Sequence, residues 1–266
     1  MQDIIVTESL TRKFGSFTAV KELSIRVRAG EIFGLVGPNG AGKTTTIKML
    51  ITLLPPTSGR STLAGFDVVK QAAEVRHVIG YVPQVISADG SLTGYENLLV
   101  FSKLYDIPRV QRQQRIRDAL EFMGLQEAAN TLVRNYSGGM IRRLEIAQSM
   151  LHRPQVLFMD EPTVGLDPVA RRVVWSHIDR LRKELGTTIF LTTHYMEEAE
   201  TMCDRVAIMN HGEVVVVGSP AELKSRIGKP TATLDDVFTY FTGDTLETGG
   251  TYRDVLRVRR TARRLG

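Results

Sequence analysis

Short apolar runs alternate with amphipathic helical patterns along most of the chain. The runs at Glu31–Val36, Val156–Met159 and Thr188–Thr192 are short and largely apolar, which predicts buried strands. Between the last two runs, Pro168 begins a helical pattern whose inward stripe is formed by Val174, Ile178, Leu181 and Leu185. This alternation predicts an α/β fold built on a core sheet.

Two other stretches have an antiparallel character. Leu23, Ile25 and Val27 alternate with polar neighbours, which predicts one half-buried antiparallel strand; the polar positions are Ser24, Arg26 and Arg28. Nearer the C-terminus, two β-branched runs predict a closing hairpin around Asn210–Gly212; they are Val206–Met209 and Val214–Val217.

One long stretch between the apolar runs is helical instead. Thr93 and Glu96 form a capping box that opens a helix, and Pro108 is expected to close that region. A second stripe ends at Gly124, a suitable C-cap; its members are Ile116, Ala119, Leu120 and Met123. We therefore predict an α-helical subdomain, inserted into the α/β core over about residues 85–136.

Composition is that of a globular protein of one or two domains. The 266 residues are 42% hydrophobic and 24% charged. No apolar run approaches the ~18–20 residues that span a bilayer, and the N-terminal sequence lacks the pattern of a secretory signal. The single cysteine, Cys203, cannot form an internal disulfide, which fits a reducing compartment.

The C-terminal part has its own composition. We assign residues 1–225 to one cassette and residues 226–266 to an extension, because the chain becomes less regular after Lys229. Much of the net charge of +5 comes from the end of this extension, at Arg257, Arg259, Arg260, Arg263 and Arg264. Contact with nucleic acid and attraction to an anionic membrane are two interpretations, and a solvated tail is the one that we favour.

The sequence GPNGAGKT follows the first buried run and precedes a helical stripe. This strand–loop–helix context is the one that a phosphate-binding loop requires. Glycines let backbone N–H groups turn towards an anion, and the start of the helix adds its positive dipole end. Lys43 can reach the terminal phosphates, and the Thr44 hydroxyl can ligate Mg²⁺. We assign nucleotide binding to Gly37, Pro38, Asn39, Gly40, Ala41, Gly42, Lys43, Thr44 and Thr45.

Two carboxylates follow the apolar run that ends at Met159. Asp160 is suited to hold Mg²⁺, directly or through water, and Glu161 is suited to orient and deprotonate an attacking water. Gln84 ends a predicted strand that begins at Ile79, and His194 ends the strand that begins at Thr188, so both lie at the edge where α/β sheets place ligand groups. Taken singly, each of these two is better explained as a turn residue.

Together these motifs resemble the ATP-binding subunit of an ABC transporter. The resemblance runs from about residue 4 to about residue 225 and rests on GPNGAGKT (Gly37–Thr44), Gln84, YSGGM (Tyr136–Met140), LFMDEP (Leu157–Pro162), GLD (Gly165–Asp167) and His194. It implies an ABC-type P-loop NTPase. That fold has a mixed core sheet, an antiparallel β subdomain and an inserted α-helical subdomain, with a small C-terminal appendage here.

The resemblance also implies roles for the matched residues. Phe14 would stack on the adenine of ATP, where the family usually has tyrosine, and Lys43 would pair with the β- and γ-phosphates. Mg²⁺ would be held by Thr44, Gln84 and Asp160. Hydrolysis would use Lys43 together with Glu161 as general base, His194 at the γ-phosphate, and Gln84 as the sensor that links the site to the membrane partner.

A second copy of the cassette is part of this expectation. Ser137, Gly138 and Gly139 would cap the nucleotide held by the other subunit, and Asp167 would lie at the seam of a dimer with two ATP molecules. Two residues depart from the usual signature, Tyr136 and Met140. Methionine lacks the hydrogen bonds of the usual glutamine, but the serine and both glycines remain. We expect a homodimer, although a different partner cassette stays open.

Three further segments resemble the drug- and antibiotic-exporting, daunorubicin-resistance-like subgroup: THYMEEAE (Thr193–Glu200), TLDDVF (Thr233–Phe238) and Thr242-Gly243. They imply export through separate ABC-2 type permease subunits, with this chain peripheral to the membrane on its cytoplasmic face. The helical insert is the expected docking surface. Val85, Ile86 and Tyr95 either contact the permease or pack within the insert.

The sequence disfavours two alternative functions. A non-transport ABC ATPase that acts on ribosomes or nucleic acid typically has two cassettes or a long coiled coil, and neither pattern is present; no nucleic-acid partner is expected. A nucleotide-binding regulator without hydrolysis is disfavoured because the catalytic set is intact, with Lys43, Asp160, Glu161 and His194 all present.

Overall fold

The computed structural model describes residues 2–229 and 231–243. In chain order its strands are β1 (Asp3–Phe14), β2 (Phe17–Leu23), β3 (Arg26–Arg28), β4 (Ile32–Val36), β5 (Ser58–Leu63), β6 (Phe66–Asp67), β7 (Ile79–Val82), β8 (Val156–Asp160), β9 (Thr188–Thr193), β10 (Arg205–Asn210) and β11 (Glu213–Gly218). Its α-helices are α1 (Lys43–Leu50), α2 (Ala72–Val78), α3 (Gly94–Leu104), α4 (Arg109–Phe122), α5 (Gly138–Met150), α6 (Pro168–Leu185), α7 (Met196–Met202), α8 (Pro220–Arg226) and α9 (Leu234–Thr242).

The core is a mixed six-stranded sheet in the order β11-β10-β4-β9-β8-β7. Strands β7, β8, β9, β4 and β10 pair in parallel, and only the β10–β11 pair is antiparallel. Strands β4, β8 and β9 are buried at every position, so the three predicted buried strands are confirmed. The predicted closing hairpin is confirmed as the antiparallel pair of β10 and β11. Parallel pairing aligns the carboxyl ends of β4, β8 and β9 at one edge, which is where ligand groups gather in such sheets.

The two faces of this sheet are covered differently. One face packs against helices through residues such as Leu157, Leu144 and Ile178. The other face packs against α1 and the smaller sheet, with Phe158, Phe190 and Phe33 forming a run of ring contacts at 5.3 and 5.6 Å. The sheet is therefore the middle layer of the molecule.

The smaller sheet is antiparallel and centred on β1, which pairs with β2, β3 and β5. Leu23, Ile25 and Val27 are buried as predicted, but they do not lie in one strand. The chain breaks between β2 and β3 because hydroxyls of β1 take two of its N–H groups: Thr11 accepts from Glu22 and Thr7 accepts from Ile25. The predicted single strand is therefore wrong, although its inward and outward faces are right.

The predicted helical stretch contains α3 and α4, both of which pack beside α5. The capping box of Thr93 and Glu96 is confirmed, and Gly124 follows α4 at a φ of +62°. The expectation for Pro108 was wrong, because this residue is the N-cap of α4 and does not close α3. Proline is tolerated at a helix start because no N–H is required there. The boundaries of the subdomain, about 85 and 136, stay a prediction.

The chain after Lys229 is more regular than expected. Thr233 and Asp236 form a capping box that opens α9, so the expected irregularity is wrong for this segment. The inner face of α9 is buried in the same core as the sheet, and its Leu234 N–H donates to Glu200 Oε2 of α7 at 3.1 Å. The arginine-rich end of the chain lies outside the described residues, and the division at residue 225 stays a prediction.

Replacing Phe238 by alanine is expected to lower the free energy of unfolding by about 3–5 kcal/mol. Its side chain is only 1% exposed, so the truncation leaves a cavity between α9 and the core. Tyr240→Ala is the matched control on the same helix, because that ring is 65% exposed. Urea unfolding measures both. Equal, small decreases in the free energy of unfolding of the two variants would show that α9 contributes nothing to the stability of the fold.

Cys203 lies behind the middle of β4. A Cβ atom added to Gly34 would come within 2.8 Å of the Cys203 sulfur, so the thiol occupies the space that a larger residue in β4 would need. Burial raises the pKa of this thiol strongly. Within the described residues, no helix has both the length and the apolar composition that a membrane span needs.

Candidate functional site

The glycine loop joins β4 to α1 at the carboxyl edge of the sheet. Gly40 and Gly42 have φ values of +83° and +106°, which side chains disfavour. Close approach restricts the loop further. A Cβ atom on Gly42 would lie 2.5 Å from the carbonyl oxygen of Ala19, and one on Gly37 would lie 2.0 Å from that of Met209. The loop therefore requires glycine at both positions for packing reasons alone.

Lys43 begins α1 and is buried under this loop. Its Nζ donates to the carbonyl oxygens of Gly37 at 2.7 Å and Pro38 at 3.0 Å, and it forms an ion pair with Glu161 at 3.3 Å. Burial lowers the pKa of the Lys43 amine, an effect that exceeds the opposite influence of the neighbouring carboxylates. The ammonium is thus buried beside a negative partner.

Glu161 follows β8 in a left-handed backbone conformation, with φ of +52°. Such a conformation is disfavoured for glutamate, and here the backbone N–H is held by Thr192, through its carbonyl oxygen at 3.2 Å and its hydroxyl at 3.1 Å. The turn aims the carboxylate between Lys43 and His194, whose Nδ1 lies 2.5 Å from Oε2.

The charge state of Glu161 follows from these contacts. Burial acts to raise the pKa of its carboxyl group, but the hydrogen bond of His194 and the charge of Lys43 outweigh burial and hold that pKa below its usual value. A carboxylate can only accept hydrogen bonds, so the proton on His194 lies on Nδ1. The arrangement can therefore serve as a base held in place by two donors.

Asp160 is the last residue of β8 and is 1% exposed. Its Oδ1 accepts hydrogen bonds from the hydroxyls of Thr192 at 2.6 Å and Thr44 at 3.2 Å. A carboxylate beside a hydroxyl, next to a phosphate loop, is a set of hard oxygen donors that suits Mg²⁺, which usually takes one or two protein ligands and completes its shell with phosphate and water. The residues present therefore fit the ion.

The structure brings five of the predicted residues into two contact groups, Thr44 with Asp160 and Lys43 with Glu161 and His194, which Thr192 joins. Two other predicted residues, Gln84 and Phe14, are exposed. Strand β7 ends two residues before Gln84, at Val82, so the expected strand ending at this glutamine is corrected. Phe14 ends β1 with its ring 47% exposed, and the Arg12 guanidinium stacks on that ring at 4.6 Å. One aromatic face of Phe14 is thus occupied.

The signature segment begins α5. The Ser137 hydroxyl caps this helix by accepting from the Met140 N–H at 3.2 Å, and Ser137 and Gly138 are exposed. A Cβ atom on Gly139 would lie 2.8 Å from that of Ala170, so this glycine allows α5 to approach α6. Asp167 caps α6 through the N–H groups of Val169 and Ala170, each at 2.9 Å.

Thr192 is a residue of the site region that the sequence patterns did not indicate. Thr192 hydrogen-bonds to both Asp160 and Glu161, and only its place directly before Thr193 and His194 in the TTH sequence could have indicated it. Tyr136, a departure from the usual signature, is buried and donates its hydroxyl to the Ala128 carbonyl at 2.7 Å, so its role is structural.

A sequence profile described as ABC transporter matches residues 20–164, which is more than half of the chain. The chain belongs to the ABC transporter family. Two relatives agree with this assignment. The chain is 41% identical to the linearmycin resistance ATP-binding protein of Bacillus subtilis, over 86% of this chain and 73% of that protein. It is 43% identical to the daunorubicin/doxorubicin resistance ATP-binding protein of Streptomyces peucetius, over 84% of this chain and 68% of that protein.

The fold assignment is supported independently. A solved structure of an ATP-binding subunit of an ABC transporter superposes with a TM-score of 0.80 at 26% identity, over 90% of this chain and 99% of that one. The resemblance seen in the sequence is thereby confirmed, as is the ABC-type fold. As an ABC transporter family member, the chain is an ATP-binding subunit of the exporter-like kind and an ATP hydrolase.

Proposed function

We propose that this ABC subunit hydrolyses Mg·ATP at the seam between two identical cassettes, and that it drives export through separate ABC-2 type permease subunits at the cytoplasmic face of a membrane. The observation that carries the proposal is the cluster of Lys43, Glu161 and His194 beside the glycine loop, in which the lysine and the glutamate are buried and the histidine is partly exposed. An ionised glutamate between two donors, beside a phosphate-binding loop, is suited to activate water.

Lys43, Glu161 and His194 would each have a different role in hydrolysis. The Lys43 ammonium, now held by two carbonyl oxygens and Glu161, would turn to the β- and γ-phosphates when ATP fills the loop. That change would free one side of the Glu161 carboxylate to accept the proton of the attacking water. His194 would keep the carboxylate oriented through Nδ1 and leave its other ring nitrogen for the γ-phosphate.

Asp160 and the Thr44 hydroxyl are the groups that would hold Mg²⁺, with Gln84 as a third ligand. The bound ion would supply charge neutralisation at the phosphate oxygens. Phe14 would offer its free face to the adenine, since Arg12 covers the other face. Thr192 would hold the Asp160 carboxylate and the Glu161 backbone in position through its hydroxyl.

The second cassette would complete the site. Ser137 and Gly138 are exposed at the N-terminus of α5, where a helix presents N–H groups and its positive dipole end. In a dimer this segment would cap the γ-phosphate held by the other copy, with Asp167 at the seam. Binding and loss of the γ-phosphate would then close and open the pair.

The permease would dock near Gln84. Val85 and Ile86 are 78% and 58% exposed, so for these two the alternative of packing within the insert is wrong. Tyr95 is partly buried and packs against the core, which favours a structural role for this ring. Exposed aliphatic side chains directly after Gln84 would let the partner sense the nucleotide site.

The test measures ATP turnover by the purified chain, together with its size in the presence and absence of Mg·ATP. The proposal predicts turnover that depends on Mg²⁺ and a dimer that forms only with ATP. Lys43→Ala is the control, because it removes the ammonium from the loop. A chain that neither turns over ATP nor changes size would overturn the homodimer and would require a different cassette to complete the site.

A further inference from the structure

Helix α5 contains a buried ion pair that the site described above does not use. Arg142 and Glu145 are 5% and 1% exposed, and the arginine Nη1 lies 3.0 Å from Glu145 Oε2. Burying two charges costs free energy that their attraction often fails to recover, so such pairs call for an explanation beyond stability. The explanation lies in the other atoms that these two side chains contact.

All of the hydrogen bonds described for the two side chains go to residues 83–87, which we term the Gln84 segment. Arg142 donates Nη1 to the Pro83 carbonyl at 2.7 Å and Nη2 to the Gln84 carbonyl at 3.2 Å. Glu145 Oε1 accepts from the N–H of Ser87 at 2.5 Å and from its hydroxyl at 3.0 Å. One turn of α5 thus holds both ends of the Gln84 segment.

The next turn of α5 continues the attachment. The Ser149 hydroxyl donates to the carbonyl of Tyr81 in β7 at 2.8 Å. A Cβ atom added to Gly80 would lie 2.4 Å from the Ser149 carbonyl oxygen, so strand and helix are in close contact. The Gln84 segment therefore continues from a strand that packs on α5, and Arg142 and Glu145 make the polar contacts at its two ends.

The N-terminus of the same helix is the Ser137 cap. Arg142 lies five residues after Ser137, less than two helical turns along one continuous helix. We propose that Arg142 and Glu145 are positioning residues that make the Gln84 segment and the N-terminus of α5 move as one body. A change at a chain's own nucleotide is then transmitted to the segment that caps the nucleotide of its partner. This inference rests on the proposed function.

Arg143 offers a matched control on the next position of α5. Its Nη1 also donates to two backbone carbonyls, those of Met123 at 2.6 Å and Gly124 at 3.2 Å, but these follow α4 and lie outside the Gln84 segment. Removing either arginine leaves backbone carbonyls without a donor. Of the two arginines, only Arg142 contacts the Gln84 segment, so only its loss removes the donor at the Pro83–Gln84 end.

The kinetic experiment compares Arg142→Gln with Arg143→Gln. We expect kcat of the first variant to fall about tenfold or more, because a small misplacement of a coupling segment slows the chemical step, while its affinity for a fluorescent ATP analogue stays within about twofold. Arg143→Gln is expected to keep kcat within about twofold at a similar loss of melting temperature. Equal falls in kcat for the two variants would reduce Arg142 to a structural residue and overturn the proposal.

Arg142→Lys separates the ion pair from the two carbonyl bonds. Lysine keeps a charge beside Glu145, but it cannot present the guanidinium fork to two carbonyls at once. We expect this variant to recover stability relative to Arg142→Gln and to keep the low kcat. Full recovery of kcat would show that the charge pair alone matters and would overturn the proposed positioning role of Arg142.

Hydrogen exchange gives a readout that does not need turnover. In the nucleotide-free chain, the Ser87 amide is protected by Glu145, and we expect it to exchange at least about tenfold faster in Arg142→Gln but not in Arg143→Gln. An unchanged exchange rate of the Ser87 amide in Arg142→Gln overturns the proposed positioning role. If the wild type did not turn over ATP but the Ser87 amide exchanged faster in Arg142→Gln, the proposed function would be overturned. The positioning role of Arg142 would still be supported.

Discussion

ATP turnover is expected to fall by a factor of about a thousand when Glu161 is replaced by glutamine. General bases contribute roughly 10²–10⁴-fold, and the amide has nearly the same shape without the ability to take a proton. His194 and Lys43 surround the side chain on both sides, so the substitution leaves the packing intact. ATP affinity should be kept, and sizing with ATP should show a dimer that no longer dissociates. Steady-state turnover measures the first effect.

Glu198→Gln is the control for this variant. Glu198 is also buried, and its Oε2 accepts from the Thr163 hydroxyl at 2.6 Å, but burial raises the pKa of its carboxyl group, in contrast to that of Glu161. A glutamine there can still accept that bond, so turnover should stay within a few-fold. If Glu161→Gln turned over ATP at the wild-type rate, another group would have to be the base.

Replacing Gly42 by alanine is expected to weaken nucleotide binding about a hundredfold and to destabilise the fold. The added Cβ would lie 2.5 Å from the Ala19 carbonyl oxygen and 2.7 Å from the Met209 methyl group, at a φ of +106°. Backbone atoms cannot move aside as a side-chain end can, so the loop would lose the shape that turns its N–H groups inward. Titration with a fluorescent ATP analogue and urea unfolding measure the two effects.

Gly65 provides the comparison, because it has a φ of +87° and nothing within 4 Å of an added Cβ. Alanine at this position should destabilise by about 1 kcal/mol through backbone strain alone, with no change in nucleotide affinity. Similar losses of affinity in both variants would mean that strain rather than the clash explains Gly42.

Local patterns predicted the parts of this molecule that depend on neighbouring residues. The glycine loop, the buried strand before Asp160 and the capping box at Thr93 each follow from side chains within a few positions of one another. The same locality explains why Lys43 and Glu161 were recognised separately. Their 3.3 Å contact joins residues over a hundred positions apart, and only the parallel order of β4, β9 and β8 brings them together.

The features that the sequence did not predict have one physical cause. Each depends on tertiary contacts with residues that are distant in the chain. The break near Ile25 arises from the hydroxyl of Thr7, which lies on another strand. Helix α9 is regular because Phe238 and its neighbours bury their side chains in a core formed by distant segments. Arg142 looked like one more arginine on a helix, since its carbonyl partners are almost sixty residues away.

The environment of Cys203 has a practical consequence for a test of the proposed dimer. The chain has no other cysteine, and this thiol is buried with its pKa raised, so it stays protonated and is a poor target for thiol-reactive dyes. A cysteine introduced at Val169, which is 61% exposed beside Asp167, would therefore be labelled alone. One dye on each copy then provides a single spectroscopic distance across the pair, with the native thiol left in place.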